Sequence, residues 1–164
     1  MITIYIQCQD IVEKYADMVY RIAVCRTNHK EDAEDVFQDV FISLIKNADK
    51  IENETHLKHW LIRTTINKSK NINMCFWKKH VALDDTAFDN AYISYNNSSE
   101  VYDMKVILNS LNKKLRDVVY LYYYEGYSIS EISEILNIKT GTVKSRLFNA
   151  RKKLETKLKE EIND

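Results

Sequence analysis

The chain has no proline and only two glycines among its 164 residues. Proline and glycine are the strongest interruptions of a helix, so little in this sequence forces a helix to stop. Cysteine is also scarce. Cys8, Cys25 and Cys75 are odd in number, widely spaced and without a C-x-x-C pair. That excludes a disulfide framework or a thiolate zinc site and leaves buried free thiols as the expectation. His56 and His59 form an H-x-x-H pair with His80 further on, but no carboxylate or cysteine stands at a suitable spacing. No metal and no other cofactor is therefore expected. No apolar run is long enough to span a bilayer, and the opening MITIYIQCQDIVEKY lacks both a basic start and a continuous apolar core. The expectation is a cytoplasmic protein with no membrane insertion of its own.

Net charge is absent too, at a formal value of zero, which on its face argues against a nucleic-acid partner. The distribution reverses that argument. Residues 1–55 carry 11 acids against 6 bases, whereas residues 56–80 carry 6 bases and no acid. Residues 81–103 hold 5 acids and no base, and residues 104–164 hold 12 bases against 8 acids. Two basic segments separated by an acidic one suit contact with a polyanion at two places.

The most informative stretch is residues 125–154, EGYSISEISEILNIKTGTVKSRLFNARKKL. Ser128 and Glu131 make a capping box of the S-x-x-E type, which opens a helix burying Ile132, Ile135 and Leu136. Residues 137–139 suffice only for a tight turn. Thr140 and Gly141 then open a second helix with Val143, Leu147, Ala150 and Leu154 on one face. This pattern is a helix-turn-helix. Lys144, Ser145, Asn149, Lys152 and Lys153 point away from the apolar stripe, with Arg146 and Arg151 on its flanks. Cationic and short polar groups of this kind suit phosphates and base edges in a major groove. A basic helix face taken alone is as often simply solvated. Capping box, turn length, glycine placement and apolar spacing together favour the DNA-binding reading. Gly126 is placed to end the preceding helix in a left-handed conformation, and Gly141 lies where a helix N-terminus can meet a phosphate with no Cβ in the way.

Elsewhere the apolar period predicts helices over 10–25, 30–47 and 55–79, another from near residue 100 to Leu111, and one over 115–125. The interior of the second is expected to include Phe37, Phe41 and Ile45. Only ITIYI at residues 2–6 alternates as a strand would. Residues 84–99 are acidic and rich in Asn and Ser without periodicity, which reads as a linker. The expected fold is all-α: two small helical domains joined by an acidic flexible linker, with divisions at 1–80, 81–100 and 101–164. Each domain is near the lower size limit for an independent core.

These residues carry a family resemblance. Leu108, Leu111, Arg116, Val118, Leu121, Glu125-Gly126, Glu131-Ile132, Gly141 through Leu147 and Ala150-Arg151 resemble domain four of the extracytoplasmic function (ECF) class of bacterial RNA polymerase sigma factors. The N-terminal half agrees independently. Asp32-Ala33-Glu34-Asp35-Val36, Gln38-Asp39 and Phe41 resemble the helix with which sigma domain two grips the polymerase clamp. His59-Trp60-Leu61, Arg63 and Asn67 resemble the W-L-x-R-x-x-x-N pattern that leads into promoter reading. The departures are few. Asn112 stands where the family often has proline, Ser133 where it has alanine and Asn137 where it has glycine; Lys139 replaces a capping serine and Asn149 an arginine. Lysine cannot cap, so Thr140 is expected to take that task. An amide at 149 prefers adenine, which changes the expected upstream sequence and not the mode of binding.

The resemblance implies an alternative sigma factor that binds core RNA polymerase and directs promoter-specific transcription initiation, not an enzyme. Asp35, Gln38 and Asp39 would dock on the polymerase. Arg63, Asn67, Lys68, Lys70 and Asn71 would hold the downstream (minus-10) promoter element. The loop over 47–55 resembles the family's specificity loop and would shape a base pocket. Trp60 is either a stacking platform there or, among Leu57 and Leu61, a core residue. Thr140, Gly141, Thr142, Lys144, Ser145, Arg146, Asn149 and Lys152 would meet the upstream (minus-35) element. A linker of about 17 residues reaches roughly 55–60 Å, enough for one chain to make two distant DNA contacts. Promoter DNA and an anti-sigma factor complete the implied partners. The alternative is a self-sufficient helix-turn-helix repressor or activator, which would bind symmetric half-sites as a dimer without polymerase.

Overall fold

Helices here stop where a polar cap or a left-handed residue stops them. The structure, a computed structural model, describes the backbone of residues 2–79 and 107–163 and the side chains of residues 9–71 and 107–160. All regular structure among the described residues is helical. The chain divides into two units, Met1–Tyr95 and Asn96–Asp164. The acidic stretch expected as a linker, with Phe88, Tyr92 and Tyr95, lies outside the described residues, as do His80, Val101 and Met104.

The first unit is built from α1 (Ile2–Arg26), α2 (Lys30–Asn47) and α3 (Glu54–Lys79), each packed on the other two. α1 buries Tyr15, Met18, Val19, Ile22 and Ala23; α2 buries Ala33, Val36, Val40, Phe41 and Leu44. α3 contributes Leu57, Leu61, Ile62 and Ile66. Each fully buried Val, Leu or Ile stabilises the unit by about 1.5–3 kcal/mol relative to exposure. Phe37 packs edge-on against Tyr20 of α1 and Phe41, with ring centroids 6.2 and 4.9 Å away. Two buried hydroxyls on α3 bond their own helix. Thr65 donates to the Leu61 carbonyl at 2.7 Å and Ser69 to the Thr65 carbonyl at 2.8 Å, so α3 turns these polar residues inward with both hydroxyls satisfied.

α1 starts at Ile2, not near residue 10 as the sequence pattern suggests. The alternating ITIYI run has no strand to pair with among the described residues, and no glycine or proline separates it from the helical pattern beyond, so the helix continues through it. Asn53 opens α3, its side chain accepting from the His56 amide at 2.8 Å. Between α2 and α3, Ala48–Lys50 forms a single 3-10 turn.

The second unit contains α4 (Lys113–Val119), α5 (Ile129–Leu136) and α6 (Thr140–Asn163), preceded by helical residues 107–109. Asn112 caps α4 by accepting from the Leu115 amide at 3.0 Å. Arg116 reaches back from α4 to the carbonyls of Leu108 at 2.9 Å and Leu111 at 3.0 Å, tying α4 to the end of the preceding helix. α4 runs into a π-helical turn, Tyr120–Tyr124, where a continuous α-helix is the sequence expectation. Val118, Val119, Tyr120 and Leu121 are buried in succession, whereas Tyr123 and Tyr124 at the end of the turn are exposed. Tyr120 then donates to the Glu125 carboxylate at 2.8 Å and stacks on Tyr124.

Gly126 comes next at φ +72°, with open space where a Cβ would stand. The constraint is therefore backbone conformation and not crowding. Gly126→Ala should lower the stability of this unit by about 1–2 kcal/mol, the cost of a left-handed conformation for a residue with a Cβ. Urea unfolding monitored by circular dichroism measures it, and an unchanged midpoint would mean the turn relaxes freely.

Candidate nucleic-acid interface

The geometry of α5 and α6 starts from two caps. Ser128 accepts from the Glu131 amide at 3.2 Å while the Glu131 carboxylate accepts from the Ser128 amide at 2.8 Å, the expected reciprocal box. At the other end Asn137 takes the left-handed conformation, φ 51° and ψ 52°. The Ile138 amide donates to the Ser133 carbonyl at 3.0 Å and the Asn137 amide to that of Glu134 at 3.3 Å, the two bonds of a Schellman closure. Ser133 adds a third, its hydroxyl donating to the Ile138 carbonyl at 2.6 Å.

The turn ends one residue earlier than the cap expected from sequence. Thr142 and Val143 both donate to the Lys139 carbonyl, so Lys139 occupies the cap position and Thr140 is already helical. The backbone supplies this closure, which is why a residue without a capping side chain is tolerated there. Val143, Leu147 and Ala150 are buried, and the opposite side of α6 is clear. Thr140, Gly141, Lys144, Ser145, Asn149, Lys152 and Lys153 are exposed; Thr142 and Arg146 are half-buried. Arg151 leans on the π turn, donating to the Tyr123 hydroxyl at 2.6 Å with its guanidinium 5.8 Å from the ring centroid. Nothing inside the chain requires Gly141 to be glycine, since a Cβ there meets open space and its φ is ordinary. Sequence reasoning passes over Phe148, which is 64% exposed within this polar face. Its position between Leu147 and Asn149, one step off the apolar stripe, is the signal that reveals it.

In the first unit, Arg63, Asn67, Lys70 and Asn71 are exposed along one stripe of α3, opposite Leu61 and Ile62. Lys68 lies beside them and is paired with Asp39 of α2 at 3.9 Å, the two side chains 35% and 57% exposed. Asp35, Gln38 and Asp39 are exposed on α2. The acidic residues of α2 and the basic stripe of α3 therefore adjoin, and this ion pair is their border. Ile45, expected inside, is 55% exposed, and Ile42 is 48% exposed. They continue the surface of Gln38 and Asp39 along α2 at i+4, i+7 and i+3 spacing. Their phase against Val40 and Leu44 is the signal by which the sequence separates them from the core.

The expected loop lines a cavity of about 600 Å³ bounded by α1, the end of α2 and the start of α3. Ile11, Leu44, Ile51 and Leu57 supply apolar lining, and Asp49, Glu52 and Glu54 bring carboxylates. Glu54 is ion-paired with Lys14 and accepts from the Tyr15 hydroxyl at 2.8 Å. Lys14 first and Tyr15 second hold its carboxyl below the usual carboxylate range. Trp60 is half-buried, so its position fits both of its expected roles.

The family description "Sigma-70 region 2" matches residues 11–78, and "Sigma-70, region 4" matches residues 103–154. The chain is 29% identical over 152 residues to the ECF RNA polymerase sigma factor SigE of Mycolicibacterium smegmatis, covering 88% of this chain and 59% of that relative. It is 28% identical to the ECF RNA polymerase sigma factor SigW of Bacillus subtilis, covering 92% of this chain and 88% of the relative. Among solved structures, the sigma factor RpoE of Bartonella quintana, in complex with the anti-sigma factor NepR, aligns with a TM-score of 0.72 at 22% identity. That alignment covers 92% of this chain and 96% of the other. CnrH, in complex with the cytosolic domain of CnrY, aligns with a TM-score of 0.68 at 21% identity, covering 93% and 88%.

Gly141 provides a test of the α6 face that is independent of any side chain. Gly141→Ala should leave the free protein as stable or up to about 1 kcal/mol more stable, because glycine is the poorer helix former. The same change should weaken binding to duplex DNA by placing a methyl group where a phosphate approaches the backbone. Calorimetric unfolding and fluorescence anisotropy separate the two effects; undiminished DNA binding would remove Gly141 from the interface.

Proposed function

The chain belongs to the sigma-70 family, in the extracytoplasmic function class of RNA polymerase sigma factors, and on that premise we propose that it docks on core polymerase through α2 and reads promoter DNA through α3 and α6. The observation that carries the reading is the α6 face: a capped helix, a three-residue turn opened by left-handed Asn137 and a second helix whose outward side is cationic and polar. Lys144 and Lys152 meet phosphates, while Ser145 and Asn149 meet base edges of the upstream element. Thr140, Gly141 and Thr142 bring the helix N-terminus to the backbone, and Arg146 supports it from the flank.

In the first unit Asp35, Gln38 and Asp39 pair with basic residues of the polymerase, and Ile42 and Ile45 add apolar contact beside them. Arg63, Lys68 and Lys70 neutralise phosphates near the downstream element, and Asn67 and Asn71 bond exposed bases. The cavity beside the 3-10 turn accepts one flipped base, its apolar lining offsetting the lost stacking and its carboxylates accepting from base amino groups. The division into a region-2 domain over 1–80, a linker over 81–100 and a region-4 domain over 101–164 belongs to the same proposal. So do a cytoplasmic location, the absence of catalysis by the chain itself and an anti-sigma factor as regulator. The complex of the sigma factor RpoE with the anti-sigma factor NepR supports that last element by analogy.

In vitro transcription with core polymerase tests the whole. The chain should bind a promoter duplex weakly alone and tightly as holoenzyme, because neither basic stripe is large and their contributions multiply only when both are positioned together. Tight, sequence-specific duplex binding by the purified chain, unaffected by core enzyme, would instead identify a self-sufficient regulator.

The clamp face has its own test. Asp35→Lys combined with Asp39→Asn should reduce capture of core polymerase at least tenfold while circular dichroism stays native. Asparagine is used at 39 because Asp39 pairs with Lys68 at 3.9 Å, and a lysine in its place would set two like charges beside each other and add a repulsion unrelated to docking. Unchanged capture would mean that the acidic face is only solvated.

A further inference from the structure

Phe148 is the most exposed large apolar side chain among the described residues, at 64%, and it stands in the middle of a face that is otherwise polar. A single exposed apolar residue is ordinary on a protein surface, so exposure alone decides nothing. Its neighbours decide more. Lys144 and Ser145 lie one turn before it, Lys152 lies one turn after it and Asn149 is adjacent, all exposed. Val143, Leu147 and Ala150 face the opposite way into the core, so Phe148 supports no packing within its own unit's interior. The nearby Arg151 is held toward Tyr123 and does not fold over the phenyl ring's side of the helix as a shield.

The partner must therefore be largely polyanionic and yet offer one apolar group at the centre of the contact. The major groove of DNA presents a single apolar group, the 5-methyl of thymine. We propose that Phe148 is a specificity-determining residue that packs on a thymine 5-methyl group in the upstream promoter element, an inference that rests on α6 entering the major groove there. Asn149 extends the same preference, since its amide pairs with adenine N6 and N7. The two adjacent residues make the centre of α6 a reader of neighbouring A·T pairs. A protein surface as the occupant fits less well, because the phenyl ring is surrounded by lysines and short polar groups, with no second exposed large apolar residue next to it in sequence.

The test uses holoenzyme and a promoter whose upstream element has been selected from a randomised library by transcription. Each thymine of the selected element is replaced in turn by deoxyuridine, which keeps base pairing and removes only the methyl. At one position wild-type holoenzyme should lose about fourfold in affinity, the worth of one methyl-sized apolar group leaving water. Phe148→Ala should bind the thymine template more weakly by a similar factor and show no further loss on deoxyuridine, whereas Phe148→Leu should keep the methyl dependence. Equal deoxyuridine effects in wild type and Phe148→Ala, or none in wild type, would overturn the assignment of Phe148 while leaving the groove contact standing. Selection of no upstream sequence at all, with Lys152→Ala binding as wild type does, would overturn the groove contact and this inference with it.

Discussion

The exposed polar face of α6 depends on one backbone conformation, the left-handed turn at Asn137. It alone reverses the chain between α5 and α6 within three residues, and it does so with both closing amides satisfied and a serine hydroxyl bridging the gap. Because α5 stops there, Ile132 and Ile135 share a core with Val143, Leu147 and Ala150. Burial of that stripe then fixes which side of α6 is left outside. The cationic face is thus set indirectly: among the described residues no polar contact aims Lys144 or Lys152, and the hydrophobic packing behind them does. Asparagine is adequate because, among residues with a Cβ, it tolerates left-handed φ best.

The first unit reaches a similar end by different means. Its α3 must bury one side and keep a cationic stripe on the other along a long helix with neither glycine nor proline. Thr65 and Ser69 lie on the buried side, and each hydroxyl donates to a carbonyl of its own helix, which satisfies it there. Opposite charges sit on neighbouring helices: Asp35 and Asp39 on the exposed side of α2, and Arg63, Lys70 and two asparagines on that of α3. The Asp39 and Lys68 pair where they meet is too exposed to contribute more than about 1 kcal/mol to the fold.

Much of this was legible in the sequence because period and caps are local signals. The bounds of α2, the capping box at Ser128 and Glu131, the left-handed Gly126 and the outward set on α6 come from side-chain spacing and need no tertiary information. The features that escaped depend on neighbours distant in sequence. Ile45 reads as core by hydrophobicity, but among the described residues its side of α2 is turned away from α1 and α3 and it is 55% exposed. Lys139 serves as a cap through its carbonyl, a role no side chain announces. The start of α1 escaped because a short alternating run is a strand only when another strand pairs with it. The expectation for the acidic linker falls on residues outside those described.

The π turn at Tyr120–Tyr124 carries a consequence for how this sequence can change. A π turn holds one residue more than the α-helical turn it replaces, so the extra residue is taken up within the turn itself. Removing one residue there would return the segment to an ordinary α-helical turn and leave the phase of the chain beyond it close to where it stands. Because Tyr122, Tyr123 and Tyr124 are consecutive and identical, such a deletion would also subtract almost nothing from composition or hydropathy. The turn is thus a place where the chain can shed a residue without re-aiming Gly126 and the helix-turn-helix beyond it.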